Sequence, residues 1–361
     1  MIALHILACL AGVLLLVLYF RSIVVVALLN SKAHDVIERT ARRGAVAIVQ
    51  RFIHPSADYA DIQRRQAWIM PIFVLLAVVT WFLLVQIAFT GILWGLRIEP
   101  DLWRALSASG SALSTLGYLT PSTLAGEYLA VFQAAIGLAV VMLLFTFVPG
   151  YQAAVQTRER QVGWLYARTD DEATGDRYLD WLTTAKGDID ISKGWEDWED
   201  WFRGMRETHT LSPILSYVPS IYRGTSWIAS AASVLDAATA VVACLGKNAP
   251  DEARICRREG AKTMRLIAAA LDTGEPSRPS AAKHQESERF DSLHAILAEA
   301  GLPVGDKAES FRSYVALRAE YAPFISHIAA ATLTPMTLLD AAGLIGSRTA
   351  ATAEPATVGA V

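Results

Sequence analysis

The chain has 361 residues, 53% hydrophobic and 19% charged, with a mean hydropathy of +0.33, whereas soluble domains carry about 45–50% apolar and about 25% charged residues. Its apolar residues gather before Gly150 and its charges after it, so the net charge is +3 over residues 1–149 and −6 over 150–361. This pattern excludes an ordinary cytoplasmic enzyme, and the lack of a concentrated basic face excludes a nucleic-acid binder.

Residues 2–20, IALHILACLAGVLLLVLYF, make about 28 Å of helix at 1.5 Å per residue, enough for a hydrocarbon core of about 30 Å. Residues 1–30 are therefore expected to form an N-terminal transmembrane helix, with Arg21 snorkelling to the interface. A cleaved signal peptide is the competing reading, but no basic stretch precedes the apolar run and no timely small-residue cleavage site ends it. Residues 31–67 carry seven Lys and Arg. Within them DVIERTARRGAVAIVQRFI has amphipathic helical character, suited to anionic lipid or to a solvated connector. A second span runs from Trp68 to Trp94, with tryptophan at both ends and Pro71 in its first turn. A third runs from Tyr128 to Val148 and is expected to break at Pro149-Gly150. Segment 95–127 has only two basic residues, Arg97 and Arg104. The positive-inside rule then puts 31–67 and everything after residue 150 in the cytoplasm, with the N-terminus outside.

Between the second and third spans lies RIEPDLWRALSASGSALSTLGYLTPSTLAGE, too rich in Ser, Thr and Gly for a crossing and too apolar for an ordinary wet loop. A short helix capped by Asp101 and ending near Ser114 is expected, followed by Thr115-Leu116-Gly117-Tyr118. Non-helical backbone at membrane depth is tolerated only where protein buries it or it lines a watery path. The negative end of the short helix would favour a nearby cation.

Span, re-entrant helix, T-x-G-Y, a following proline and another span together resemble the two-helix pore unit of the potassium-channel superfamily. There, T-V-G-Y-G turns backbone carbonyls inward to replace an ion's hydration shell. By this resemblance Thr115, Leu116, Gly117 and Tyr118 would supply the filter, while Leu119 stands where the second glycine belongs. Thr120 and Pro121 replace the usual Asp. Glycine-only backbone angles strain a branched residue, so either only the inner carbonyl rungs persist or the chain takes another path after Tyr118. Potassium or non-selective monovalent conduction (K+ or Na+) both follow. The third span would be the pore-lining helix, with Gly137 as a hinge or a close-packing position and Pro149 and Gly150 at the inner mouth.

Residues 150–347 read as a helical cytoplasmic domain, with a polar Pro/Ser-rich linker near 272–288 and a disordered tail over 348–361. In WEDWEDWFRGM, Trp195, Trp198, Trp201 and Phe202 share one face opposite a solvated acidic one. The stretch from Glu207 to Gly246 is similar to a helical segment behind the pore in bacterial potassium-channel-like proteins. His209, Pro213, Leu215, Tyr217, Arg223, Ser226, Trp227, Leu235 and Asp236 carry that resemblance. Residues 227–245 approach spanning length, but the central Asp236 favours a buried core helix over a fourth crossing. His209, beside Glu207, reads as a hydrogen-bonded structural residue, with a pH sensor as the alternative. Cys9, Cys244 and Cys256 form no pair at ligand spacing, and no catalytic motif or metal-ligand spacing emerges.

The expectation is an all-α membrane protein with three transmembrane helices, a re-entrant pore loop and a helical cytoplasmic domain. By resemblance it would be a bacterial inner-membrane cation channel rather than an enzyme, assembled as a homotetramer in the lipid bilayer and biased by a cytoplasmic ligand or protein partner. A lone Arg21 makes no voltage sensor. The alternatives are a non-conducting membrane-anchored interaction or sensor protein with a relic pore loop, and a subunit of a cation transporter with single-glycine filters.

Overall fold

The computed structural model describes residues 2–28, 35–54, 57–184, 192, 194–271 and 283–338, all helix and turn with no strand among them. The helices are α1 (Ile2–Ile23, continued by a π turn Val24–Leu28), α2 (Val36–Arg51), α3 (Tyr59–Gln66), α4 (Ile69–Gly95), α5 (Leu102–Leu113), α6 (Leu124–Tyr166) and α7 (Gly175–Thr184). They continue with α8 (Trp195–Leu211), α9 (Trp227–Leu245), α10 (Asp251–Ala270), α11 (Lys283–Glu299), α12 (Lys307–Arg318) and α13 (Ala322–Ala331). Among the described residues the protein is all-helical, with apolar helices compatible with a membrane protein. Four helical stretches are long and apolar enough to cross a bilayer: Ile2–Val26, Tyr59–Gly95, Leu124–Tyr166 and Trp227–Asn248. Their most apolar parts are 17%, 33%, 22% and 94% buried, respectively, so the fourth already has protein on every side.

The chain divides into two units, Met1–Phe52 with Trp68–Ala153, and Ile53–Ala67 with Ala154–Val361. In the first, α1 lies along α4 with backbones in close approach: a Cβ on Gly12 would stand 2.4 Å from the Ala88 carbonyl oxygen, and one on Gly91 2.8 Å from that of Ala8. Gly91 and Gly95 are a GxxxG pair, the small-residue spacing that lets membrane helices touch. Tyr19, Trp81, Phe89, Leu113, Ile136 and Val140 form the core where α1, α4, α5 and α6 meet. A polar node pins the start of α2: Asp35 accepts from the Glu38 amide and from Ser22 Oγ (2.9 Å), which in turn accepts from Trp81 Nε1 (3.2 Å). The outward faces stay apolar, with Leu10 and Leu14 on α1, Leu75 and Leu83 on α4, and Met142 and Phe145 on α6 all exposed.

In the second unit α9 is the centre, packed by α7, α10, α11, α12 and α13. Its Asp236 is buried and accepts from Tyr321 Oη (2.5 Å) and Arg318 Nε (3.1 Å), with Arg289 at 3.5 Å. These partners offset the desolvation of a buried carboxylate and leave α9 a core helix, the reading its central charge favoured. Trp195, Trp198, Trp201 and Phe202 are buried as their spacing predicts, against Tyr178 and Trp164.

Three expectations are corrected. First, α6 passes through Pro149 and Gly150 and ends only at Tyr166. Proline removes the amide that would bond the Phe145 carbonyl, at a cost of about 3 kcal/mol. The helix-favouring run QAAVQTRERQ that follows, and the burial of Arg158, Glu159, Leu165 and Tyr166 in the second unit, keep the helix intact. Second, segment 31–67 is not one piece: α2 packs on α4, whereas α3 belongs to the second unit through Gln63 and Gln66. Third, the linker expected over 272–288 is helical from Lys283 onward, where glycine and proline cease and Glu286 accepts from Arg318 Nη1 (3.2 Å). Residues 272–282 and the tail 348–361 lie outside the described residues.

Candidate functional site

The short helix α5 begins and ends where its sequence predicts. Asp101 caps it by accepting from the Arg104 amide (2.8 Å), and Arg104 Nε reaches back to Glu99 (2.9 Å). At its other end Thr115, with φ +59°, closes a Schellman motif. The Thr115 amide donates to the Ala112 carbonyl (3.0 Å) and the Leu116 amide to that of Ser111 (3.1 Å), the paired bonds that terminate a helix through a left-handed residue. That geometry usually belongs to glycine, and a threonine there costs about 1–2 kcal/mol.

Ser111 organises the loop. Its carbonyl also accepts from the Gly117 amide (3.3 Å), and its Oγ accepts from the Leu119 amide (3.0 Å). Tyr118 folds back to donate through Oη to the Ser107 carbonyl (3.1 Å). The amides of residues 115, 116, 117 and 119 are thus all directed back to α5. Among the described residues, nothing donates to the carbonyl oxygens of Thr115, Leu116, Gly117 or Tyr118. Leu116 and Tyr118 are 73% and 67% exposed, and a Cβ on Gly117 (φ +68°) would meet nothing within 4 Å. Four consecutive carbonyls, backed by amides that are tied down, can coordinate a cation; left unpaired in a membrane they would be costly.

Leu119 explains its own departure from the T-x-G-Y-G pattern. Its φ is not positive, and its side chain packs on Leu93, Ala105 and Ala108. Residue 119 thus avoids the backbone angles that favour glycine, and its side chain serves as an apolar anchor. The helix end also differs from expectation. The carbonyls of Gly110, Ser111 and Ala112 already accept hydrogen bonds, so the dipole end of α5 is largely capped and the carbonyls without a donor among the described residues belong to the loop.

Gly137 belongs to the same assembly. A Cβ there would stand 2.3 Å from the Leu113 carbonyl oxygen, which gives this glycine a close-packing role beneath the end of α5. Pro149 and Gly150 lie elsewhere, twelve and thirteen residues further along α6, or about 18–20 Å of helix. Sequence reasoning missed the polar chain behind the loop: Gln133 Nε2 donates to Ser109 Oγ (2.7 Å), and Ser109 donates to the Gln86 carbonyl (2.9 Å). Gln133 is fully buried and its Oε1 has no partner among the described residues. A lone glutamine inside an apolar span was the available signal, since polar residues there mark internal contacts. Among the described residues no group of His, Cys, Asp or Glu could hold a metal ion. No family model, curated protein or solved structure matches this chain.

Proposed function

We propose that this protein is a pore-loop cation channel that passes potassium, or monovalent cations without strict preference, passively across a bacterial inner membrane. The observation that carries the reading is the run of unpaired carbonyls from Thr115 to Tyr118, held between two long apolar helices by amides anchored to α5. One loop makes only a quarter of a coordination ring, so four copies of residues 68–149 are needed to surround an ion. In this reading α1, α4 and α6 are the crossings, the N-terminus is outside, and the second unit is cytoplasmic, where it biases the pore for a ligand or partner. The exposed apolar faces of α1, α4 and α6 support that placement, because lipid or neighbouring copies would cover them.

The test is flux through the purified protein in liposomes under imposed potassium and sodium gradients, with a large organic cation as the impermeant control. Gly117→Asp is the comparison variant, since it places a charged side chain at a left-handed position in the loop. Flux lost in the variant while its assembly is preserved supports the channel. Absence of flux in the wild type under every gradient and with membrane-free cell extract added, alongside intact assembly, overturns it in favour of an interaction protein.

A further inference from the structure

Two helices of the second unit are continuous or nearly continuous in sequence with the apolar helices α4 and α6. Gln63 on α3 precedes Ile69, the first residue of α4, by six residues; Arg158 and Glu159 lie nine and ten residues beyond Pro149 on α6. All three side chains are buried, and all three hold one stretch of backbone, residues 215–225.

The α6 side of this grip uses every donor that Arg158 has turned towards the segment. Arg158 Nη1 donates to the Leu215 carbonyl (3.1 Å), and Nη2 to those of Val218 (3.0 Å) and Pro219 (3.1 Å), while the guanidinium lies 5.4 Å from the centroid of the Trp227 ring. Arg158 Nε pairs with Glu159 at 2.7 Å. Glu159 accepts from Ser220 Oγ (3.2 Å) and the Ile221 amide (3.1 Å), and Ser220 Oγ accepts from the Trp227 amide (2.9 Å). On the α3 side, the Gln63 carboxamide is read like a peptide group. Its Nε2 donates to the carbonyls of Thr225 (2.8 Å) and Tyr222 (3.3 Å), and its Oε1 accepts from the Gly224 amide (2.9 Å). Gly224 has φ +82°, a conformation that favours glycine.

We propose that residues 215–225 form a clamp coupling α3 to the C-terminal extension of α6, with Gln63, Arg158 and Glu159 as its positioning residues. The segment entering α4 and the segment leaving α6 then move together. Buried, fully partnered charged groups are suited to such a linkage, because slipping by one residue leaves an unpaired charge behind. The coupling itself stands apart from the channel reading; its consequence for gating rests on that reading.

Hydrogen–deuterium exchange on the full-length protein in lipid nanodiscs tests the coupling without any measurement of flux. Gln63→Glu keeps the acceptor for Gly224 and loses the donations to Tyr222 and Thr225, and Glu159→Gln does the converse kind of damage on α6. Arg160→Ala, at an exposed neighbour, is the control. The proposal expects Gln63→Glu to raise exchange in 154–166, with which Gln63 makes no hydrogen bond among the described residues, and Glu159→Gln to raise it in 59–66. The expected rise is about tenfold, equivalent to ~1.4 kcal/mol of opening free energy, while the control changes neither. Effects confined to the mutated helix and 215–225 overturn the clamp. If a variant loses its folded state, the conservative Gln63→Asn or Glu159→Asp, each shorter by one methylene, takes its place and the same criterion applies. In liposomes that show wild-type flux, both variants are expected to shift the fraction of time open and leave the potassium-to-sodium ratio unchanged. A change in that ratio with unchanged opening overturns the gating role, whereas liposomes without wild-type flux overturn the channel reading and leave the exchange result to decide the clamp.

Discussion

Replacing Gly137 by alanine places a methyl group 2.3 Å from the Leu113 carbonyl oxygen, 3.2 Å from Leu113 Cδ1 and 3.3 Å from its carbonyl carbon. Carbon–oxygen contacts normally relax to about 3.3–3.6 Å, so α5 and α6 have to part by about 1 Å at this point. The obstacle is backbone, which no rotamer change relieves, and overpacking of this kind costs ~1–3 kcal/mol. Against it stands the gain of ~0.5–1 kcal/mol from removing a glycine inside a helix. The net expectation is a loss of about 1–2 kcal/mol. The displacement also reaches the loop, because Leu113 is two residues from Ser111, whose carbonyl and hydroxyl hold the amides of 116, 117 and 119. Gly150→Ala is the matched comparison: nothing lies within 4 Å of its added Cβ, so it should stabilise α6 by about 0.5–1 kcal/mol. Unfolding midpoints in a single detergent, with flux measured on the same preparations, check both. A Gly137→Ala protein at least as stable as Gly150→Ala, with altered opening, would refute the packing argument and restore the hinge.

Leu119→Gly recreates the second glycine of the channel pattern, yet it should not sharpen potassium preference, because residue 119 does not use a left-handed angle. It instead removes an anchor from Leu93, Ala105 and Ala108 and should destabilise by about 2 kcal/mol; a potassium-to-sodium flux ratio that rises would contradict this. Asp236→Asn leaves Arg318 with Glu286 as its neighbouring carboxylate and weakens the bond from Tyr321. A loss of about 3 kcal/mol is expected, and a melting temperature within 2 °C or so of the wild type would show the cluster to be dispensable. His209 is held well below the ordinary histidine range by burial and by Arg158 beside it, with Nδ1 on Thr208 (2.9 Å) and Nε2 facing Arg158 (3.4 Å). Because the unfolded chain takes up the proton first, its contribution is complete above about pH 6.5 and declines as the pH falls, by at most about 1.4 kcal/mol per unit. His209→Gln should flatten that decline in unfolding midpoints between pH 7.5 and 5, and curves that stay parallel would exclude the effect.

Much of the candidate site was legible before any fold was known, since its signals are local. Asp101 before an apolar run starts a helix, a tryptophan every third or fourth position buries one face, and nineteen apolar residues span a bilayer, each by short-range geometry. The central charge of residues 227–245 marked a core helix for the same reason: a lone carboxylate has no place in lipid, though its partners Arg318, Tyr321 and Arg289 lie more than fifty residues away. The failures are equally physical. Pro149 signals a helix break through its missing amide, but the burial of Arg158, Glu159 and Tyr166 further along carries α6 past it. The role of Leu119 is not local either: its half-buried side chain packs against Leu93, Ala105 and Ala108 on two helices. Of the two roles open to Gly137, close packing is the one that the Leu113 carbonyl beside it favours, and that neighbour lies 24 residues away in sequence.

Composition and periodicity alone determine that this chain carries apolar helices of membrane-crossing length, and where the short helix before Thr115 starts and stops. Tertiary structure decides the rest: which long apolar helix is wrapped in protein, which glycine is a contact, and which loop groups remain unpaired. The physical reason is that hydrophobic burial and capping are summed along a few neighbouring residues, whereas a hydrogen bond such as Gln63 to Thr225 or Arg158 to Val218 joins positions that only folding brings together.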